Sequence, residues 1–439
     1  MPVPIPTRGR VISWSRAVTA RKVSTCESSK RCADSHPLNR LAGVIQFRLV
    51  PFNTMFNLCG KRIRNRLQSC RLPVANRCHN DDFVHTSCSW FSVLTCICLA
   101  VCLVLGWAAT ATAQTKQSRS FESQGQEFVT PEAQRAIDRG LMFLADRQFP
   151  DGSFGSGSNY KRNVAVTALS GMAFLSAGHM PGRGPHGKRI DKSIEYILSC
   201  VSSSGFIKRD DSTEHGPMYG HGFATLYLAE VYGMSERKEV HDHLKKAIQL
   251  IVESQNKEGG WRYKPDGRDA DVSVTVCQMM ALRAARNCGI EVPKTTVDNC
   301  VEYVRKCQNS DGGFRYQLGG RPISDFPRSA AGVVVLYNAG VTEGRDIDRG
   351  LAYLQSSSRP DQFRHDPHYF YGQYYAVQAM WHAGDDYWRQ WYPTIRDELI
   401  GRQTPDGSWI DPTINSEYGT AMACLILQMP NNLLPIFQR

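Results

Sequence analysis

Gln255-Asn-Lys-Glu-Gly-Gly-Trp261 decides the reading of this chain, because the pattern returns three times. The other copies are Gln148-Phe-Pro-Asp-Gly-Ser-Phe154, Gln308-Asn-Ser-Asp-Gly-Gly-Phe314 and Gln403-Thr-Pro-Asp-Gly-Ser-Trp409. Four copies of Q-x-x-[DE]-G-[GS]-[FW] mark a repeat architecture, in which each unit buries its apolar face against the next. The intervals from 154 to 261 and from 314 to 409 are each two periods wide. A weaker copy is therefore expected in each, and Ser202-Ser-Ser-Gly-Phe206 and Gln355 through Phe363 are the candidates. With the aromatic as marker, six turns fall at 154, 206, 261, 314, 363 and 409.

Working outward from the turns, each is preceded by a segment with one apolar face. Ile137, Leu141 and Leu144 form such a stripe, as do Val297, Cys300, Val301 and Val304 at i, i+3, i+4, i+7, the spacing of an amphipathic helix. The segments after the turns are apolar around most of their circumference: 164–177, 222–232, 272–288, 330–339, 374–383 and 420–427. Such helices need burial on two sides. Five of them run into a glycine (Gly178, Gly233, Gly289, Gly340, Gly384), the usual stop after a helix. Strand-like alternation is absent. The expected fold is all-α: a single α/α-toroid of six helix pairs over 129–439, with the second helix of each pair lining the inside.

The turn Q-x-x-DG-[GS]-[FW] resembles the QW motif of squalene and other triterpene cyclases, whose ring is shared by protein prenyltransferase β-subunits. The resemblance covers about residues 130–430. It implies that Gln148, Trp261, Phe314 and Trp409 serve stability, the Gln closing hydrogen bonds at helix ends and the aromatic packing on the next repeat. Chemistry is expected where the N-terminal ends of the inner helices crowd one mouth of the ring, since helix N-termini direct free N–H groups and partial positive charge outward. The six mouths read Arg162-Asn163, Tyr219-Gly-His221, Asp269-Ala-Asp271, Arg328-Ser329, Tyr371-Gly-Gln373 and Glu417-Tyr418.

Asp269-Ala-Asp271-Val-Ser273 resembles the D-x-D-D-[TS] motif with which class II terpene cyclases protonate an alkene, with Val272 in place of the third acid. The resemblance implies Asp271 as proton donor and Asp269 as its neighbour. Helix capping by either aspartate is the competing role, because Asp accepts first-turn N–H groups routinely. Tyr219, His221, Arg328, Tyr371 and Tyr418 are the candidate ligand contacts, and aromatic faces such as Tyr371 also suit a developing cation. The zinc set of the prenyltransferases, an Asp-x-Cys and a later His, becomes Asp269-x-Asp271 and Tyr371, so neither a metal nor another cofactor is expected. The expected partner is an isoprenoid or other apolar small molecule. The alternative is a non-catalytic ring that binds a lipid, peptide or glycan.

Charge separates the ring from what precedes it. Residues 1–113 contain 15 Lys/Arg and 4 Asp/Glu, whereas the remainder has equal numbers of each, so the net +11 belongs to the N-terminal segment. A neutral folded part does not fit a phosphate-backbone binder, and nucleic acid is excluded as a partner. Trp90 to Ala109 carries no charge, follows a basic stretch (Lys61 to Arg77) and ends near Ala111-Thr112-Ala113. This reads as a signal h-region or a transmembrane anchor across 90–113, placing the ring outside the cytoplasm or tethered to a membrane. Residues 1–89 form a basic extension, in which Met55 offers an alternative start that leaves 1–54 untranslated, and 114–128 reads as a polar linker. Of 15 cysteines, nine precede residue 114, and the other six form no CxxC; those within apolar helices are expected as buried free thiols.

Overall fold

In a computed structural model of the chain, the described residues are 125–439, apart from 212–214, 236 and 358–367. The signal or anchor segment and the N-terminal extension lie outside them, as does most of the linker. Among the described residues there are twelve α-helices and no strand, only isolated bridges. They alternate along the chain: α1 (Pro131–Arg147), α2 (Val164–Ser176), α3 (Gly187–Ser199), α4 (Pro217–Ser235), α5 (Lys238–Glu253) and α6 (Val272–Asn287). The second half repeats the order with α7 (Lys294–Cys307), α8 (Phe326–Asn338), α9 (Arg345–Ser357), α10 (Tyr369–Ala383), α11 (Asp385–Arg402) and α12 (Ser416–Leu427).

Even-numbered helices form the inner ring. Each packs against two even-numbered neighbours, and α12 packs against α2, so the ring is closed. Their apolar circumference requires this: almost every residue of α2, α8 and α12 and most of α6 are buried. Odd-numbered helices bury one stripe, such as Ile137, Leu141 and Leu144 in α1 or Val297, Cys300, Val301 and Val304 in α7.

The repeated turn supplies the stitching. In each strong copy the Gln amide donates both to a carbonyl of its own turn and to a carbonyl of the next outer helix. Gln148 reaches Gly152 at 3.0 Å and Arg189 at 2.9 Å, Gln255 reaches Gly259 at 2.8 Å and Thr296 at 2.9 Å, and Gln308 reaches Gly312 at 3.0 Å and Asp346 at 2.9 Å. Gln403 makes the same pair with Gly407 at 2.9 Å and Ala136 at 2.8 Å, joining the last turn to the first helix. Gly259 shows why glycine recurs: its φ is +101°, and a Cβ there would lie 2.1 Å from the Asn299 carbonyl oxygen. The indoles of Trp261 and Trp409 donate to Ile251 and Leu399, each at 2.7 Å, capturing carbonyls at the ends of α5 and α11.

A second ladder joins each turn to its inner helix. The marker N–H donates to a first-turn hydroxyl: Phe154 to Thr167 (2.9 Å), Trp261 to Thr275 (3.1 Å), Phe314 to Ser329 (2.9 Å) and Trp409 to Thr420 (3.0 Å). In the second repeat the same bond runs from Ile207 to Nδ1 of His221 at 3.2 Å. Ile207, rather than Phe206, therefore occupies the marker position, and the turn bond from Ser202 N–H to the Phe206 carbonyl fixes that register. Phe206 instead matches Ser153 and Gly260, one residue before the marker. Gly233 also departs from expectation: it lies within α4, which continues to Ser235, whereas Gly178, Gly289, Gly340 and Gly384 all have positive φ at or just beyond helix ends. Gln355 lies in α9, and Phe363 falls outside the described residues. Cys277 and Cys424 are buried free thiols, while Cys288 is half-buried.

At the C-terminal ends of the inner helices the last residues of the chain cover the ring. Ile436 N–H donates to Glu230 in α4 (3.2 Å), Arg283 of α6 donates to the Gln438 carbonyl (2.6 Å), and Arg439 donates to the His382 carbonyl of α10 (3.0 Å). The described cavity of the ring lies at the other end.

Candidate functional site

All six inner helices begin around one cavity of about 420 Å³. Six tyrosines stand in its wall: Tyr160, Tyr219, Tyr263, Tyr316, Tyr371 and Tyr418. Ala165, Val166, Phe223, Pro327 and Ile414 supply apolar surface, and His215, Asp325, Arg328, His368 and Asp411 supply charge or polarity.

The wall is held by helix starts. Asn163 caps α2 by accepting from Val166 N–H at 3.1 Å, and Asn415 caps α12 by accepting from Tyr418 N–H at 2.8 Å. The backbone after a turn caps the preceding inner helix: Met218 N–H donates to the Tyr263 carbonyl (3.1 Å), and Val272 N–H to the Tyr316 carbonyl (3.0 Å). Both tyrosines follow their turn aromatic by two residues, so this register carries side chains to the mouth. Asp411 stands in the same register after Trp409, and its carboxylate accepts the N–H groups of Thr413 (2.9 Å) and Ile414 (2.8 Å).

Four of the seven residues picked from the sequence, Tyr219, Arg328, Tyr371 and Tyr418, line the cavity. Tyr371 is anchored by donating to the Ser273 carbonyl at 2.9 Å. Arg328 pairs with Asp325 at 3.2 Å and lies over the Tyr316 ring with its guanidinium 5.8 Å from the centroid. His221 lies elsewhere: it is fully buried, and its Nδ1 accepts from Ile207 N–H, which makes Nε2 the protonated nitrogen facing the Ala247 carbonyl at 3.3 Å. Burial pushes its pKa down to about 4, so the ring is a neutral structural replacement for the threonine or serine hydroxyl of the four strong repeats.

Asp269 and Asp271 stand behind the wall. Asp271 is completely buried as the N-cap of α6, with Oδ1 accepting from Val274 N–H at 2.8 Å. Its Oδ2 faces the Tyr316 hydroxyl at 3.4 Å and Arg262 Nε at 3.5 Å. Asp269 is half-exposed and pairs with Arg262 at 3.1 Å. The Arg262 guanidinium lies over Tyr263 at 4.7 Å and over Tyr316 at 5.3 Å from their centroids, a cation backing two aromatic faces. Burial raises the Asp271 pKa from 3.8 to about 6, against the opposing pull of the Val274 N–H and Arg262. Among the described residues, no group of three or more His, Cys, Asp or Glu side chains is placed to hold a metal ion.

With this geometry in view, the sequence profile of the prenyltransferase alpha-alpha toroid domain matches residues 133–262 and 185–356, together about half the chain. The chain belongs to the prenyltransferase alpha-alpha toroid family. A relative in this direction is the drimenyl diphosphate synthase of Streptomyces showdoensis, 24% identical over 209 residues. That match spans 46% of the present chain and 37% of the relative, so the chain corresponds to little more than a third of it. Among solved structures, the type II terpene cyclase MstE from Scytonema, in complex with geranylgeranyl dihydroxybenzoate as substrate, superimposes with a TM-score of 0.51 at 14% identity, covering 69% of this chain and 98% of the cyclase. The cellobiose 2-epimerase of Bacillus thermoamylovorans superimposes with a TM-score of 0.53 at 11% identity, covering 71% and 99%. An inactive variant of an α-1,6-mannanase of Salegentibacter, in complex with α-1,6-mannotriose, gives 0.52 at 9% identity, covering 68% and 98%. At these identities the superpositions establish the toroid. The fold is thus terpene-cyclase-like, and the sugar-active neighbours share it.

Proposed function

We propose that this toroid binds an isoprenoid or comparably apolar small molecule in the tyrosine-walled cavity. The observation that carries the reading is the wall itself: six tyrosine rings and a set of aliphatic side chains around about 420 Å³, within the range of about 300–1,000 Å³ typical of ligand pockets. Tyrosine offers an apolar face for a prenyl chain and a hydroxyl at its edge. The substrate in the MstE complex, a geranylgeranyl dihydroxybenzoate, pairs a prenyl chain with a polar aromatic head, and the drimenyl diphosphate synthase likeness points the same way.

Protonation of that ligand is the finer proposal. An acid that protonates an alkene must hold its proton and reach the alkene. Burial favours the protonated form of Asp271, and Tyr316 connects it to the cavity wall. We further propose that 90–113 exports or anchors the toroid, a reading supported by its charge-free run and the Ala111-Thr112-Ala113 site. A glycan ligand is the rival, favoured by the polar groups Asp325, Arg328 and Asp411 in the same wall.

The test is solvent extraction of the purified full-length chain, followed by mass spectrometry of what is released, with Ala165→Phe as a cavity-filling comparison. The expected result is an isoprenoid released from the natural chain and lost from the variant. Release of an oligosaccharide, or the same lipid content from both proteins, would overturn the reading. Turnover of the identified compound that is unchanged in Asp271→Asn would remove Asp271 from any chemistry.

A further inference from the structure

Tyr263, Tyr316 and Asp271 form a continuous chain from the cavity to the helix cap. The Tyr263 and Tyr316 hydroxyl oxygens are 2.5 Å apart, and the Tyr316 hydroxyl is 3.4 Å from Oδ2 of Asp271. Tyr263 and Tyr316 line the cavity, and Asp271 is sealed from it and from solvent. A carboxylate can only accept, so an ionised Asp271 makes Tyr316 the donor to it. Tyr316 then accepts from Tyr263, a residue of the cavity wall, whose hydroxyl is left with lone pairs alone for a further partner. A protonated Asp271 permits the opposite order: the acid donates to Tyr316, Tyr316 donates to Tyr263, and Tyr263 presents its O–H to the cavity.

We propose that Tyr263 is the specificity-determining end of this chain, and that the proton on Asp271 decides whether the cavity receives a hydrogen-bond donor or an acceptor there. The ligand class that follows is a prenyl chain with an oxygen at one end, a carbonyl being accepted when Asp271 is protonated and rejected when it is ionised. This rests on the isoprenoid reading of the cavity and specifies the head group within it.

The neighbours leave Asp271 as the group in this cluster able to change the order. Arg262 stays cationic beside it, held also by solvent-facing Asp269. The hydroxyls of Tyr219 on α4, Tyr303 on α7 and Tyr371 on α10 are pushed upward by burial, as are the thiols of Cys277 on α6 and Cys307 on α7, both to about 12. All five remain neutral from pH 4 to 8, whereas burial brings Asp271 to about 6. His215 packs edge-on against Tyr263, with centroids 4.4 Å apart.

The test is titration of the full-length chain with farnesal, whose head only accepts, and farnesene, which has the prenyl skeleton without oxygen, at pH 5 and pH 8. The expected preference for farnesal at pH 5 is on the order of tenfold and disappears at pH 8. Asp271→Asn, whose amide can donate to Tyr316 at any pH, should keep the preference at both. Tyr316→Phe, which severs the chain, should show no pH dependence. His215→Gln should retain the dependence; if it abolishes it, His215 is the source and the proposal fails. A preference in the natural chain that does not change with pH, or one that still changes in Tyr316→Phe, also overturns it. If neither compound binds at either pH, the isoprenoid reading itself falls. Thermal melting of each variant reports folding, and should Tyr316→Phe not fold, Asp271→Asn decides.

Discussion

Replacement of Gln403 by alanine tests whether the ring is closed. The amide of Gln403 donates to Gly407 within its own turn at 2.9 Å and to Ala136 in α1 at 2.8 Å, 267 residues away in sequence. Alanine removes both bonds, together with the exposed bond that Gln403 accepts from Arg139 of α1, and leaves one turn carbonyl and one α1 carbonyl to find water or go without. A hydrogen bond of this kind contributes about 0.5–1.5 kcal/mol net, so the pair is worth roughly 2 kcal/mol. Gln255 makes the equivalent pair with Gly259 and Thr296, and its replacement should cost the same. In an open solenoid Gln403 would lack the second bond, and Gln403→Ala would cost about half as much as Gln255→Ala. Urea unfolding of the two variants and the natural chain measures the difference, and equal losses support closure. A loss for Gln403→Ala of about 1 kcal/mol or less, with Gln255→Ala near 2, would refute it.

Three further substitutions probe the buried polar groups. The Asp271 carboxyl is raised from 3.8 to about 6, so its contribution to stability is complete below 3.8 and is lost as pH rises through 6. Asp271→Asn cannot ionise and keeps a good cap, so its stability relative to the natural chain should rise by about 3 kcal/mol between pH 4 and pH 7, read from melting at each pH. Glu230 is raised from 4.5 to about 8 by burial beneath the C-terminal residues, so its contribution is complete below 4.5 and is lost as pH climbs to 8; Glu230→Gln should melt higher than the natural chain at pH 9 and not at pH 4. His221→Leu leaves the Ile207 N–H without its acceptor and should cost about 1–3 kcal/mol in urea unfolding, while ligand affinity stays unchanged because His221 is not part of the cavity wall.

The ring was legible because its stitching is repetitive. A Gln that must reach two carbonyls and a Gly that must allow a neighbouring carbonyl within 2.1 Å of where a Cβ would stand leave little freedom, so the turn recurs nearly unchanged. The second repeat hid its register because Val201 replaces the Gln, Ile207 replaces the aromatic, and His221 does the work of a threonine. The helix starts chosen as mouths did reach the cavity at Tyr219, Arg328, Tyr371 and Tyr418. Tyr263 and Tyr316 escaped notice because they follow the turn, in a stretch with no periodicity. Their shared place two residues after the marker was the available signal. Capping is visible for Asp271, and its link to the cavity depends on Tyr316, 45 residues later, a contact that spacing within one motif cannot reveal.

Whether the tyrosine-walled cavity takes a prenyl chain is open to direct measurement. Equilibrium titration of the full-length chain with farnesol, read by tyrosine and tryptophan fluorescence and repeated on Ala165→Phe, tests it most directly. One saturable site per chain is expected, weakened at least tenfold by the phenylalanine that fills the cavity while the melting temperature is kept. Absence of saturable binding to the natural chain, or equal binding by the filled variant, would contradict it.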